Sequence, residues 1–454
     1  MIDSKHHLIL AGAVVLIFAI SANIAWLNPW PEKESFRGID SIPVMWQYNR
    51  AAGVEILSAA YFPQTYEMYT DRINRPTYPA TVYVIGRVIG FVASPVVELS
   101  PLERAGAGYV VLKLLVFFAG AVAMFHILRR WMPSQPAMFA TLLMLFHAHS
   151  VEFVATFQTT ELQVLTPILV IWMFLKVVDQ SRDETVSRVR TLVTVSVASF
   201  AVGILMLAKQ NYAVYLAIVL FALYKRRWRE VILSVVVHLV PLALYLLYLR
   251  AMDIPYVNHE AANYDQGVWM LDMFRQNPIL SVQQVMHSLW QSLRHLVGFF
   301  SVWLLFAMGA VARPRDFKLT RDRLIFIALL FFGTWAQIFA ANRYYDYMVS
   351  DVAIVIFGLG AWALWMWISH IAHSFTTSPE LVRRRLTTGV LTVWFLGNVL
   401  SFVNFPWVHP FDQPARRSEV LNNRQEMVEN PEEFTDEQRE QARGGVIIDR
   451  EQED

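Results

Sequence analysis

The chain of 454 residues is 56% hydrophobic and 14% aromatic, with only 17% charged residues, a formal net charge of +1 and a mean hydropathy of +0.38. A near-neutral chain this apolar has no electrostatic footprint for nucleic acid, and its composition places it in a lipid bilayer. Cysteine is absent, which excludes disulfides, thiol catalysis and thiolate metal sites together.

The first apolar window, 8–27, is longer than a typical signal-peptide core and runs into Asn28-Pro29-Trp30-Pro31, so it is read as a retained anchor. A long polar run follows, opening with SFRGIDSIPVMWQYNRAAG from Ser35 to Gly53, and it is far longer than a hairpin between membrane helices needs. It carries Asp40, Trp46, Tyr48 and Asn49, then Asp71 and Arg72, and leads to Arg75-Pro76-Thr77-Tyr78-Pro79. Pro76 favours an extended residue before it, and Pro79 suits a first helical turn, where no N–H is needed. The stretch Ala80–Val97 is apolar but contains Arg87 and is interrupted by Pro95, so it is expected to lie along the outer interface instead of crossing.

Further charge-poor windows lie near 107–128, 136–152, 160–178, 190–208, 212–224, 231–250, 293–312, 323–341, 351–372 and 386–404. With the first, they predict an all-α polytopic membrane protein of about 11 transmembrane helices, since roughly 20 residues cross about 30 Å of hydrocarbon. The expected organisation is a transmembrane unit over 1–404, with 28–106 as a first extracytoplasmic loop of juxtamembrane helices. The polar, acidic tail over 405–454 is expected to be solvated and extracytoplasmic.

Basic clusters fall in every second loop: Arg129-Arg130, Arg182 to Arg190, Lys225-Arg226-Arg227 with Arg229, Arg313 to Arg323, and Arg383-Arg384-Arg385. Cytoplasmic loops are enriched in Lys and Arg, so the N-terminus is expected in the cytoplasm. The outer face then receives the first loop, Glu152 and Glu161, Lys209-Gln210-Asn211, the loop with His259, Glu260, Asp265 and Asp272, and Asn342-Arg343-Tyr344-Tyr345-Asp346. Nearly all chemistry-capable side chains gather there, which implies a site on the outside.

No Gly-rich phosphate loop, G-x-S-x-G elbow or H-E-x-x-H helix is present, so nucleotide-hydrolysing, serine-hydrolase and zincin mechanisms lack their anchors. His147 and His149, two positions apart, cannot share one face of a regular helix, and a satisfied histidine is the better reading than a metal ligand. Aromatic residues such as Trp46, Tyr61, Tyr66, Tyr69, Tyr78 and Trp303 read mostly as an interfacial belt, with Tyr48 and Tyr344 kept as site residues.

Taken in order, the early acid Asp40, the Arg75-to-Pro79 motif opening an apolar helix, the span ending in Arg129-Arg130, the Leu207-Ala208-Lys209 element and the Arg343-Tyr344 pair form one pattern. The pattern resembles the GT-C superfamily of polytopic glycosyltransferases, the group with the protein mannosyltransferases and the lipid A aminoarabinose transferase. The resemblance covers residues 1 to about 375 and rests on order and topology, because each motif is short. It implies a glycosyltransferase in a membrane, with a bacterial inner membrane preferred, moving a sugar from a polyprenyl-phosphate lipid to a glycan, lipid or protein acceptor on the extracytoplasmic face.

The resemblance also implies roles. Asp40 matches the family's catalytic carboxylate; many relatives carry a second acid beside it, whereas Ser41 follows here, and Asp71 is the other acid to consider. Arg343, Lys209 and Arg75 are the implied clamp for the donor phosphate, with Tyr344 beside them, and Tyr48 and Asn49 would contact substrate. No metal ligand is assigned; a divalent cation stays open, since some members of the superfamily bind one and others do not. The competing class is a transporter or lipid flippase, which would show internal repeats and ionisable groups near the midplane. No repeat is evident, and His238 is the main ionisable residue within the spans.

Overall fold

The computed structural model describes residues 2–27, 56–65, 75–154, 162–179, 188–208, 212–256, 274–341, 350–375, 378–404, 430 and 432, and every regular element among them is helical. The first helix, α1, spans Ile2–Leu27. After it come α2 (Thr77–Ala93), α3 (Pro101–Leu128), α4 (Ser134–Leu145), α5 (Ala148–Val154) and α6 (Leu162–Asp179). A second group comprises α7 (Arg188–Met206), α8 (Tyr212–Tyr224) and α9 (Trp228–Ala251). The last are α10 (Pro278–Phe300), α11 (Val302–Ala312), α12 (Arg321–Ala341), α13 (Ala353–Phe375) and α14 (Pro379–Asn404).

The helix starts follow from local chemistry. Before α3, the Ser100 hydroxyl accepts from the Glu103 N–H at 3.2 Å and the Glu103 carboxylate accepts from the Ser100 N–H at 2.8 Å, a reciprocal cap with Pro101 at the first helical position. Asn277 caps α10 by accepting from the Ile279 and Leu280 N–H groups at 3.1 and 3.2 Å. α2 begins directly after Pro76 and ends at Ala93; the Ser94 N–H still bonds the Gly90 carbonyl at 3.0 Å, and Pro95, one residue on, has no N–H with which to continue the ladder.

The exterior is apolar. On α9, Ile232, Val236, Leu239, Leu244 and Leu247 are all exposed, as expected of side chains that face lipid. Six helices among the described residues are long and apolar enough to cross a bilayer: Ser4–Ser21 within α1, α3, Val189–Met206 within α7, α9, Arg321–Phe339 within α12, and Ser350–Ser374 through α13. This is fewer than the eleven expected spans. One reason is length: α8 has only 13 residues, which rise about 20 Å at 1.5 Å per residue.

A second reason is that two windows read as continuous spans are broken. The window 136–152 divides into α4 and α5 at Phe146-His147, where the His147 ring stacks on Phe299 at 4.2 Å and its Nε2 lies 3.0 Å from the Phe299 carbonyl oxygen. The window 293–312 divides at Ser301, whose φ of 47° turns α11 by 97° from α10. Counting that bent pair as one span gives seven. Along α10, Ile279, Val282, Met286, Trp290, Leu293 and Val297 are exposed at spacings of three and four, while Ser281, Ser288 and Ser292 are buried. That is an amphipathic helix with its apolar stripe turned outward, and the right-angle bend suits a helix at the bilayer surface.

The core is aromatic. Trp303 stands edge-on to Phe139, Phe357 and Trp394 at 6.1, 6.3 and 5.5 Å between centroids, and the Trp394 indole N–H donates to the Leu143 carbonyl at 2.9 Å. Trp303 and Tyr78, which the sequence suggested for an interfacial belt, are both buried. At another level Ser199 of α7 and Ser234 of α9 are 2.8 Å apart, and the Tyr215 hydroxyl of α8 also bonds Ser234. Such buried hydroxyls join helices where water is excluded. Three of the basic loops meet at one end, where Lys225 pairs with Asp322 at 2.7 Å and Arg323 lies over the Trp131 ring at 5.9 Å.

α2 and α3 run antiparallel with their backbones in close approach. A Cβ on Gly86 would stand 2.5 Å from the Arg104 carbonyl oxygen, and one on Gly108 would stand 2.6 Å from that of Val82. Gly86→Ala is therefore expected to destabilise the protein by about 1–3 kcal/mol, the usual cost of overpacking. The check is the thermal unfolding midpoint of detergent-purified protein, with Gly12→Ala, whose added methyl meets nothing within 4 Å, leaving it unchanged.

Candidate active site

Of the residues assigned to the site from sequence, Arg75 is within the described part of the structure; Asp40, Tyr48, Asn49, Asp71, Lys209, Arg343 and Tyr344 lie outside the described residues. Arg75 is 8% exposed and directly precedes Pro76 at the start of α2. A guanidinium keeps its charge in any protein environment, so a buried arginine must be compensated by hydrogen bonds or an anion.

Two of the short motifs meet here. The Thr77 N–H donates to the Leu207 carbonyl at 3.4 Å, and the Thr77 hydroxyl donates to the Ile204 carbonyl at 3.1 Å. Thus the Arg-Pro-Thr-Tyr-Pro motif is bonded to the Leu-Ala-Lys motif, although some 130 positions separate them in the chain. Carbonyls run out of helical partners at the end of α7; Thr77 bonds two there, that of Leu207 and that of Ile204, which also accepts from the Leu207 N–H at 3.1 Å.

Beside Tyr78 of α2 stands a residue of α3 that the sequence reading does not single out. Lys113 lies within the window 107–128 and is 2% exposed, with its ammonium 5.9 Å from the centroid of the Tyr78 ring. Tyr78 in turn packs on Tyr109 at 5.3 Å. Both cations, Arg75 and Lys113, engage neighbouring groups. A lysine in the middle of an apolar run was the available signal, because an ionisable residue within a span is costly and points to function. His238, the residue singled out within the spans, is also buried and stacks on Tyr215 at 4.1 Å.

A cavity of about 260 Å³ opens beyond these residues, between α2, the start of α3 and residues 59–64. Its walls include Tyr61, Phe62, Gln64, Tyr83, Arg87 and Arg104. Among the described residues no group of three or more His, Asp or Glu side chains is arranged to hold a metal ion.

No protein-family model and no curated protein sequence matches the chain. Among solved structures it is similar to ArnT from Cupriavidus metallidurans bound to undecaprenyl phosphate, at 15% identity and a TM-score of 0.48, covering 86% of this chain and 76% of that one. ArnT from the same organism in the apo state gives 14% identity and a TM-score of 0.47 with the same coverage. An Archaeoglobus fulgidus oligosaccharyltransferase tethered with an acceptor peptide gives 12% identity and a TM-score of 0.44, covering 88% of this chain and 55% of that one. The class rests on the chain's own helices: it is an all-α polytopic membrane protein.

Proposed function

We propose that this chain is an integral-membrane glycosyltransferase of the GT-C type, which moves a sugar from a polyprenyl-phosphate donor to an acceptor at the extracytoplasmic face. The observation that carries the reading is the hydrogen-bonded meeting of the Arg75 and Leu207 motifs. Arg75 and Lys209, two of the cations that the resemblance implies for the donor phosphate, belong to these two motifs, which lie some 130 positions apart in the chain.

In the proposed reaction a carboxylate, Asp40 with Asp71 as the other acid, accepts the proton of the acceptor hydroxyl. The hydroxyl oxygen bonds to the anomeric carbon as the bond from that carbon to the phosphate oxygen breaks, and the lipid phosphate departs with the electron pair. Base assistance is worth about 10²–10⁴-fold, so positioning and stabilisation of the leaving phosphate must supply the rest. Arg75 supplies a desolvated cation for that charge, and Lys209 follows Leu207 by two positions in the chain. Arg343 and Tyr344 complete the proposed clamp, with Tyr48 and Asn49 orienting substrate.

The test is transfer of radiolabelled sugar from a panel of polyprenyl-phosphate sugars by membranes that contain the chain, against membranes that lack it. Transfer from at least one donor is the expected result. Failure with every donor, in the presence of extracted envelope lipids and glycans as acceptors, would remove this reading and bring forward a transporter or flippase.

A further inference from the structure

The cavity beside α2 carries two cations that the proposed donor site does not use. Arg87 of α2 is exposed and Arg104 of α3 is half-buried, and both line the same 260 Å³ space. Among the described residues neither makes an ion pair; Arg87 lies 6.0 Å from the centroid of the Tyr83 ring. The carboxylate of Glu103, the nearest acid in sequence, accepts from the Ser100 N–H in the cap of α3. The Arg104 stem crosses α2 at Gly90, where a Cβ would come within 2.5 Å of its Cδ, so that glycine leaves room for the guanidinium to lie across the helix.

Two like charges at one cavity repel each other and are tolerated most readily when an anion joins them, and guanidinium forks match phosphate oxygens in pairs. The other walls, Tyr61, Phe62, Tyr83 and Gln64, offer ring faces and an amide, the groups that pack on and hydrogen-bond a polyol or sugar. The volume falls just below the 300–1,000 Å³ of typical ligand pockets, which suits a headgroup and not a whole lipid. Nine positions separate Arg104 from Lys113 on one helix, a rise of about 13 Å, so the cavity and the buried cations form separate stations.

We propose that this cavity is a second anion site, distinct from Arg75, that binds a phosphoryl group carried on a sugar or polyol headgroup. On the glycosyltransferase reading this site takes the acceptor; the binding of the anion does not depend on that reading. The ligand chemistry is shared by an anionic lipid headgroup and by a soluble sugar phosphate.

Two arms distinguish these sources, using the full chain. One is calorimetric titration in detergent with glucose 6-phosphate, against glucose. The other is retention of phosphatidylglycerol, against phosphatidylcholine, from mixed nanodiscs by native mass spectrometry. The expected result is binding of the phosphorylated probe in at least one arm, weakened at least about tenfold by Arg87→Gln with Arg104→Gln, since each fork contributes charge-assisted hydrogen bonds. Arg75→Gln should leave this binding intact. If the double variant does not fold, judged by its melting profile, Arg87→Gln alone decides, because that side chain is exposed. Unchanged binding in the variants, no binding of either phosphorylated probe by the wild type, or equal loss with Arg75→Gln would each overturn the proposal. Phosphoryl binding by a chain that transfers no sugar would leave the anion site standing and remove only its role for an acceptor.

Discussion

Asp40→Asn is expected to lower sugar transfer by at least about a hundredfold while donor binding is retained, because it removes a proton acceptor and keeps the size and hydrogen-bonding capacity of the side chain. Transfer is the quantity to measure, in membranes where the amount of inserted protein has been equalised. A general base acts on the reacting hydroxyl and contributes little to holding the lipid, so the loss should fall on the turnover rate. Asp71→Asn is the companion measurement. A large loss there with Asp40→Asn unaffected would move the base to Asp71, and no loss in either variant would remove carboxylate base catalysis by these residues.

If Arg75 holds the donor phosphate as proposed, Arg75→Ala should weaken binding of a polyprenyl-phosphate donor on the order of a hundredfold, since the charge and the paired hydrogen bonds of the guanidinium are lost together. Arg75→Lys should recover only part of the affinity: the ammonium is a point charge and cannot reproduce the planar fork. Titration of the purified variants with the lipid donor measures this. The structural alternative is specific, because Arg75 adjoins the contact between Thr77 and the end of α7. Under that alternative Arg75→Ala would lower the melting temperature and leave donor affinity unchanged, and Arg75→Lys would not differ from it in affinity.

The long helices were legible because lipid selects for uninterrupted apolar sequence, and α3, α7, α9 and α13 lie close to the windows read from it. The breaks were not. Phe146-His147 and Ser301 carry no proline or glycine, and apolar sequence runs through both, so hydropathy cannot tell a straight helix from two joined at an angle. What separates them is tertiary: His147 meets the carbonyl of Phe299, which is 152 positions away, and Ser301 adopts a left-handed φ. Lys113 was hidden for a related reason. A single lysine hardly lowers the mean hydropathy of a 28-residue helix, and its burial against Tyr78 depends on how α2 packs. Of the site residues, Arg75 was legible as part of a motif, whereas the contact of Thr77, in the same motif, with the end of α7 could not be read from spacing. The placement of Arg87 and Arg104 at one cavity was likewise out of reach, because the path of the Arg104 stem depends on the space that Gly90 leaves.

The close approach of Gly86 to Arg104 and of Gly108 to Val82 also determines how this part of the molecule can deform. Where side chains separate two helices, they slide by changing rotamers; here backbone faces backbone, and there is no layer of side chains to shear. α2 and α3 therefore behave as a single strut, and Arg87 and Arg104 keep their spacing whatever the rest of the chain does. A change in the shape of the cavity they line would have to come from its remaining wall, residues 59–64.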